Sequence, residues 1–272
     1  MAIYAPGPLT QERCLSWHYA PMPRGSQTRL PVEALPRVRR GYFECRYGQL
    51  HVHNAMPPGG GFEEGTPLLC LHDLDLGGSG RVFTRLLAVA GQDRSVYAPD
   101  IPGFGESDPP PSRPALADYA AALGDFLDTM RLRHAALLGL RMGALLAAEL
   151  ALARPQQIGR VVMVSVPLLS EVERKALSAA PAPTAAESPF RPPQWQRWAL
   201  EAAAHYPLRE RLAKLTQRLL VLRPRDDLSD ATARARDVVP AARVSELDQP
   251  ALELLAVAPQ RIVEAMREFL RG

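Results

Sequence analysis

Cysteine is scarce in this chain of 272 residues, which has three cysteines. Cys14, Cys45 and Cys70 are odd in number and lie far apart, which is typical of free thiols in a reducing compartment and not of a disulfide framework. No two of them have the spacing of a zinc-ligand pair. The sequence therefore predicts no metal site, and we expect no cofactor.

Other signals are also missing. No apolar run approaches the length needed to span a bilayer, and Met1–Thr10 lacks the basic start and apolar stretch of a secretory signal. The basic cluster Arg37, Arg39 and Arg40 has no interleaved aromatic residues. With a net charge of +3 and alternating charge signs, the chain is expected to be cytoplasmic and to bind neither membrane nor nucleic acid.

Short apolar runs alternate with helical patterns along most of the chain. The runs "TPLLCLH", "SVYAPD", "HAALLGL" and "RVVMVSVPLL" are typical of buried parallel strands. Strands separated by helices need crossover connections, so the pattern predicts a mostly parallel sheet with helices on both faces. We expect an N-terminal arm over residues 1–40 and one α/β domain over 41–272. A short helical cap over about 170–217 should lie between strands six and seven.

Two histidines lie in a predicted hairpin that turns at Tyr47 and Gly48. His51 and His53 alternate along its second strand, and we expect them to be surface or edge residues.

Three sequence motifs follow strand ends in chain order: "LLCLHDLDLGGSG", "APDIPGFGESDPP" and "LLGLRMGALLAAELA". The first resembles the oxyanion loop of the α/β-hydrolase superfamily. The second is similar to its Asp-x-Pro-Gly-x-Gly-x-Ser loop, and the third resembles its nucleophile elbow. The resemblance extends from about Gly41 to the C-terminus. It implies an α/β-hydrolase fold and, in the usual case, hydrolysis by a nucleophile, an acid and a histidine.

The nucleophile position holds an arginine. Gly139 and Gly143 keep the glycine positions of the elbow, and Arg141 stands between them. A guanidinium is always protonated and cannot attack a carbonyl carbon. Alternative serines do not suit an elbow: Ser79 follows the wrong strand, and Ser165 is expected inside a strand. The sequence therefore predicts a protein without the serine mechanism.

The triad histidine is missing as well. The resemblance places it after the last strand, at Leu252, and residues 206–272 contain no histidine. The acid position is occupied by Asp227, with Asp226 as an alternative. Because an unpaired carboxylate in a cleft is costly, we expect Arg141 to cross the vacant histidine position and pair with Asp227.

The remaining pocket residues depart from the family pattern in part. The resemblance implies that the backbone N–H groups of Leu74 and Met142 form the oxyanion hole, and that His72 is structural. Asp73 replaces the usual glycine; together with Asp75 it would oppose a developing oxyanion or pair with Arg141. Pro167 is also expected in the ligand pocket. Trp195 and Trp198, at i, i+3 spacing, either line this pocket from the cap or pack within the cap.

Three functions are compatible with this pattern. The first is a non-catalytic protein that binds a small anionic ligand such as a carboxylate, or a protein partner, which includes a second copy of the chain. The second is an enzyme of non-hydrolytic chemistry on a carboxylate or carbonyl substrate, with Arg141 as anion receptor at a helix N-terminus. The third is a conventional hydrolase with relocated residues, in which His72 would have to act as the base.

Overall fold

The computed structural model describes residues 35–57, 65–75, 77–174 and 194–271. Most of the predicted N-terminal arm and residues 175–193 of the predicted cap lie outside these ranges. The first strand begins at Arg39, slightly before the predicted domain start at residue 41.

Eight strands and nine α-helices account for most of the described residues. The strands are β1 (Arg39–Cys45), β2 (Gly48–Ala55), β3 (Leu68–Leu71), β4 (Val96–Pro99), β5 (Ala135–Leu140), β6 (Ile158–Val164), β7 (Arg218–Arg223) and β8 (Arg243–Glu246). The helices are α1 (Thr84–Ala90), α2 (Leu116–Thr129), α3 (Gly143–Ala153), α4 (Gln194–Ala204), α5 (Leu208–Leu212), α6 (Ser229–Ala233), α7 (Ala235–Val238), α8 (Ala251–Val257) and α9 (Pro259–Arg271). A 3-10 turn, Gly80–Phe83, precedes α1.

All eight strands form one sheet in the order β1-β2-β4-β3-β5-β6-β7-β8. Strand β2 pairs antiparallel with β1 and β4, and the other pairs are parallel. The predicted mostly parallel sheet is therefore confirmed. Because β3, β5 and β7 run in the same direction, their carboxyl ends meet at one edge of the sheet, where ligands bind in such folds.

Apolar side chains cover both faces of the sheet. Along β5, Leu137 belongs to the core that includes α2 and α3, and Leu138 to the core that includes α1 and α9. Helix α3 is buried on nearly all sides, as its alanine- and leucine-rich sequence requires. Among the described residues, no helix combines the length and the apolar character needed to cross a membrane.

Two expectations about local environment were wrong. Strand β6 ends at Val164, so Ser165 lies in the turn beyond it with a φ of 55°. His51 and His53 are buried, with 1% and 7% of their surface exposed. Alternation along β2 puts both rings on one face of the sheet, and α1 with its preceding 3-10 turn packs against that strand.

Candidate functional site

A tight strand-to-helix turn carries Arg141 between β5 and α3. The residue has a φ of 51°, a conformation that costs energy for any residue except glycine. A side chain at Gly143 would run into the carbonyl oxygens of Leu71 and His72, and one at Gly139 would lie 2.5 Å from the Cα atom of Ala144. The glycine spacing thus correctly predicted the elbow, and the structure places a guanidinium at its tip.

The guanidinium of Arg141 is held by two carboxylates. Its Nη1 and Nη2 atoms donate to Oδ1 and Oδ2 of Asp227 at 2.8 and 2.9 Å, which confirms the predicted pair. Its Nε atom donates to Oδ2 of Asp73 at 2.9 Å. Burial opposes the ionisation of Asp227, but the hydrogen bonds and charge of Arg141 outweigh it and lower the pKa of this carboxyl. The guanidinium is therefore enclosed between two carboxyl groups.

The second oxygen of Asp73 occupies the predicted oxyanion hole. Oδ1 accepts the backbone N–H of Leu74 at 2.9 Å and that of Met142 at 3.1 Å. Burial raises the pKa of Asp73, while Arg141 and the two N–H donors act in the opposite direction. The donors that the resemblance assigned to a substrate oxyanion are thus used by the protein's own carboxylate.

His72 joins the loops that follow β3 and β4. Its Nε2 atom accepts the N–H of Ile101 at 2.9 Å, and its Nδ1 atom lies 2.6 Å from the carbonyl oxygen of Asp73. Since a carbonyl only accepts, the ring hydrogen is on Nδ1. Burial lowers the pKa of His72 to about 4. Both ring nitrogens are engaged, as expected of a structural histidine.

The two adjacent aspartates after β7 face different partners. Oδ2 of Asp226 accepts the hydroxyl of Ser165 at 2.5 Å, and its Oδ1 accepts the N–H of Leu228 at 3.1 Å. Asp227 alone of the two bonds to Arg141. The turn after β7 points the two carboxylates in different directions, so that Asp227 and not Asp226 meets Arg141.

The other predicted residues surround this cluster less closely. Asp75 is exposed and is not among the ion-pair partners of Arg141 in the described residues. Leu252 lies in the first turn of α8 with an exposed side chain. Pro167 is half-buried beyond β6. Trp195 and Trp198 are half-buried on cap helix α4, and the ring of Trp195 packs against Gly103 in the loop after β4.

A cavity of about 600 Å³ lies away from Arg141, between the N-terminus of α2 and the cap helices. Sequence reasoning did not predict it. An ion pair of Arg113 with Glu201 at 2.7 Å borders it, as does Glu149, whose Oε2 atom accepts hydrogen bonds from Tyr206 and Arg211. The residues that form it come from separate parts of the chain, so no local motif indicates it.

A family model of the α/β-hydrolase fold matches residues 66–251, which is more than half of the chain. The chain belongs to the α/β-hydrolase-fold family.

Solved structures of this family share the overall fold with the present protein. A hydrolase from Pseudomonas aeruginosa has a TM-score of 0.66 at 21% identity, over 86% of this chain and 98% of the other. The naproxen esterase of Bacillus subtilis has a TM-score of 0.63 at 20% identity, over 86% and 92%. At this identity, the likeness extends to the fold alone.

Curated relatives match over shorter stretches. An uncharacterized protein of Mycobacterium tuberculosis is 29% identical over 101 residues, 37% of this chain and 29% of its own. A 2-hydroxy-6-oxononadienedioate/2-hydroxy-6-oxononatrienedioate hydrolase of Pseudomonas putida is 34% identical over 131 residues, 47% of this chain and 43% of its own. The chain thus spans less than half the length of these relatives.

Proposed function

We propose that this α/β-hydrolase-fold protein is a non-catalytic member of its family, whose former catalytic site is closed by its own charged side chains. The observation that carries the proposal is the position of Asp73. Its Oδ1 atom takes the N–H groups of Leu74 and Met142, and its Oδ2 atom takes Nε of Arg141. An oxyanion entering this hole would have to displace a carboxylate.

Each component of acyl transfer is missing or occupied in the described residues. Arg141 cannot act as a nucleophile. His72 has no free ring nitrogen with which to accept a proton. The hydroxyls of Ser79, Ser107 and Ser165 donate to Asp100 or Asp226, and none bonds to a histidine ring. These contacts support a recognition role, with a small ligand or a protein partner, over catalysis.

The sequence also led us to expect that a small carboxylate ligand binds at Arg141. The side chain is 22% exposed, and its charge is balanced by Asp73 and Asp227. An added carboxylate would therefore have to replace one of these aspartates. The geometry favours a closed ion-pair cluster over an open anion receptor.

Titration with acetate and benzoate distinguishes the closed cluster from the receptor. We expect no shift in the melting temperature of the wild-type protein, because its anion positions are filled. The Asp227→Ala variant should gain stability with added carboxylate, since a bound ligand stabilises by RT ln(1 + [L]/Kd). Asp230→Ala, at an exposed carboxylate nearby, is the matched control. Saturable stabilisation of the wild type would support the receptor instead.

Hydrolysis is the competing function, because several relatives are named as hydrolases or esterases. Hydrolysis by this protein would need a nucleophile other than Arg141 and a base other than His72. The decisive experiment treats the pure protein with a fluorophosphonate probe and with p-nitrophenyl acetate. We expect no labelled residue and ester cleavage at the rate of buffer. Stoichiometric labelling of one serine would overturn the proposal.

A further inference from the structure

A buried histidine pair lies beside the closed site, on the β1 side of the sheet. His51 and His53 have ring centroids 4.7 Å apart in an edge-to-face arrangement. Ligand-forming atoms of these two histidines and Asp100 all lie within 4.8 Å of one another. We propose that His51 and His53, together with Glu106, bind one divalent transition-metal ion of the Zn²⁺ type. This site is independent of the proposed function.

Asp100 orients His51 for this role. Its Oδ2 atom lies 2.8 Å from Nδ1 of His51 and accepts the N–H of Glu106 at 2.9 Å. Its Oδ1 atom accepts the hydroxyl of Ser79 at 2.7 Å and the N–H of Gly80 at 2.6 Å. A carboxylate held by so many donors is ionised and only accepts, so the hydrogen of His51 lies on Nδ1.

This tautomer leaves the lone pair of His51 on Nε2, available to a metal ion. A carboxylate that accepts the second ring N–H is the usual outer partner of a metal-binding histidine. Because Asp100 is already fully engaged by four donors, we assign it to orientation and not to coordination.

His53 supplies the second nitrogen. Only 7% of its surface is exposed, and its described contact is with the ring of His51. The alternation of β2 places its ring on the same face of the sheet as that of His51.

Glu106 is the third ligand within reach. Its Oε2 atom lies 4.0 Å from Nε2 of His51 and accepts the hydroxyl of Tyr42 at 2.7 Å. Two ligands of a tetrahedral Zn²⁺ ion are about 3.4 Å apart, so a small movement of this exposed side chain brings its Oε2 atom to the separation from Nε2 of His51 that a shared ion requires. Arg40 stands opposite His53 in the β1–β2 register, while the carboxylates of Asp100 and Glu106 lie beside His51.

Imidazole nitrogen with carboxylate oxygen is a ligand set that suits Zn²⁺ and Co²⁺. The experiment uses full-length protein without a histidine tag, treated with EDTA and then titrated with Co²⁺ by absorption and with Zn²⁺ by calorimetry. We expect one ion per chain. Affinity should fall by about 10- to 100-fold in Asp100→Asn, and at least as much in His51→Ala and in His53→Ala.

The control variant is His205→Ala, which removes an exposed histidine just after α4 that bonds to the carbonyl of Glu201. The metal affinity of this variant should equal that of the wild type. If the β2 variants do not fold, ¹⁵N spectra of the wild-type imidazoles replace them: Zn²⁺ should shift His51 and His53 and leave His72 unchanged. Absence of binding at about 100 μM ion, or binding that survives His53→Ala, would overturn the proposal. Neither result depends on ester hydrolysis.

Discussion

Arg141 changes the chemistry of the elbow through its permanent charge. A serine in this position would need a base, whereas the guanidinium needs anions, and Asp73 and Asp227 supply them. The exchange also explains why an aspartate is tolerated at position 73: it pairs with the new cation and takes up the two backbone N–H groups that would otherwise be unsatisfied.

Removing the charge of Arg141 should therefore destabilise the fold. We expect Arg141→Leu to lower the free energy of unfolding by about 3 kcal/mol, because it leaves two partly buried carboxylates without a cation. The measurement is urea unfolding at pH 7. Arg113→Leu, which breaks the exposed pair with Glu201, should have a small effect.

A second variant separates the lost charge balance from lost packing. Arg141→Leu combined with Asp73→Asn and Asp227→Asn should recover part of the loss, since no unpaired charge remains. If Arg141→Leu unfolds no more easily than Arg113→Leu, the cluster does not stabilise the protein and the closed-site argument loses its energetic basis.

His72 should make stability depend on pH below neutrality. The buried ring has a pKa of about 4 against 6.5 for an exposed histidine, so the unfolded chain binds its proton first as the pH falls. The free energy of unfolding has its full value above pH 6.5 with respect to His72. Protonation of the unfolded chain lowers it by roughly 3 kcal/mol between pH 6.5 and about pH 4. His53 contributes in the same direction, so the His72 share must be isolated.

The comparison of wild type with His72→Gln isolates that share. The variant should be less stable at pH 7, because one of the two loop contacts is lost, but its stability should fall less between pH 6.5 and 4.5. Urea midpoints at constant ionic strength measure both. Parallel pH profiles for the two proteins would show that His72 is protonated equally in the folded and unfolded states.

At the scale of elements, the turn between β5 and α3 depends on the absence of a side chain at Gly143. A Cβ atom there would collide with the backbone oxygens that end β3, so the helix could not approach the sheet as closely. This requirement is independent of catalysis, so the elbow needs its glycines even with an arginine at position 141.

Gly143→Ala is therefore expected to lower the free energy of unfolding by about 1–3 kcal/mol, the usual cost of overpacking. Gly159→Ala in β6 is the matched control, since an added Cβ atom meets nothing within 4 Å; it should be neutral or slightly stabilising. Thermal unfolding of both variants tests the difference. Equal melting temperatures would mean that the elbow can relax at no cost.

At the scale of the whole molecule, the closed site is assembled from loops that follow β3, β5 and β7. Residues 73, 141 and 227 are brought together only because parallel strands end at one edge of the sheet. The positions that depart from the family pattern, 73, 141 and 252, also lie on separate segments, so we expect that no single substitution creates hydrolytic activity.

We expect Arg141→Ser alone to cleave p-nitrophenyl acetate at the background rate. Combining it with Asp73→Gly and Leu252→His should raise the rate by about 10²-fold, the lower range of general-base catalysis. Leu252→His in the wild-type background is the control and should remain inactive. Activity in Arg141→Ser alone would show that a residue other than the histidine introduced at position 252 acts as the base.

Much of the fold was predictable from local pattern. Apolar residues that recur at every second position or about every 3.6 positions predicted the alternation of strands and helices. The motifs after β3, β4 and β5 indicated the family. The prediction for His51 and His53 was wrong because alternation shows that two residues share a face, and not whether that face is covered. The same spacing, read as a pair of ligands on one strand, would have indicated the histidine cluster.

The sequence by itself determined which residue types stand at the positions that the resemblance assigns to catalysis: an arginine at the elbow, and no histidine after residue 205. Residue type alone excludes a reaction, because a guanidinium is not a nucleophile in any fold. Only the tertiary structure decided which groups accept the backbone N–H donors of the elbow and which carboxyl groups pair with Arg141. Which carboxylate meets Arg141, and which atoms take the N–H groups of Leu74 and Met142, depends on distances across loops far apart in the chain.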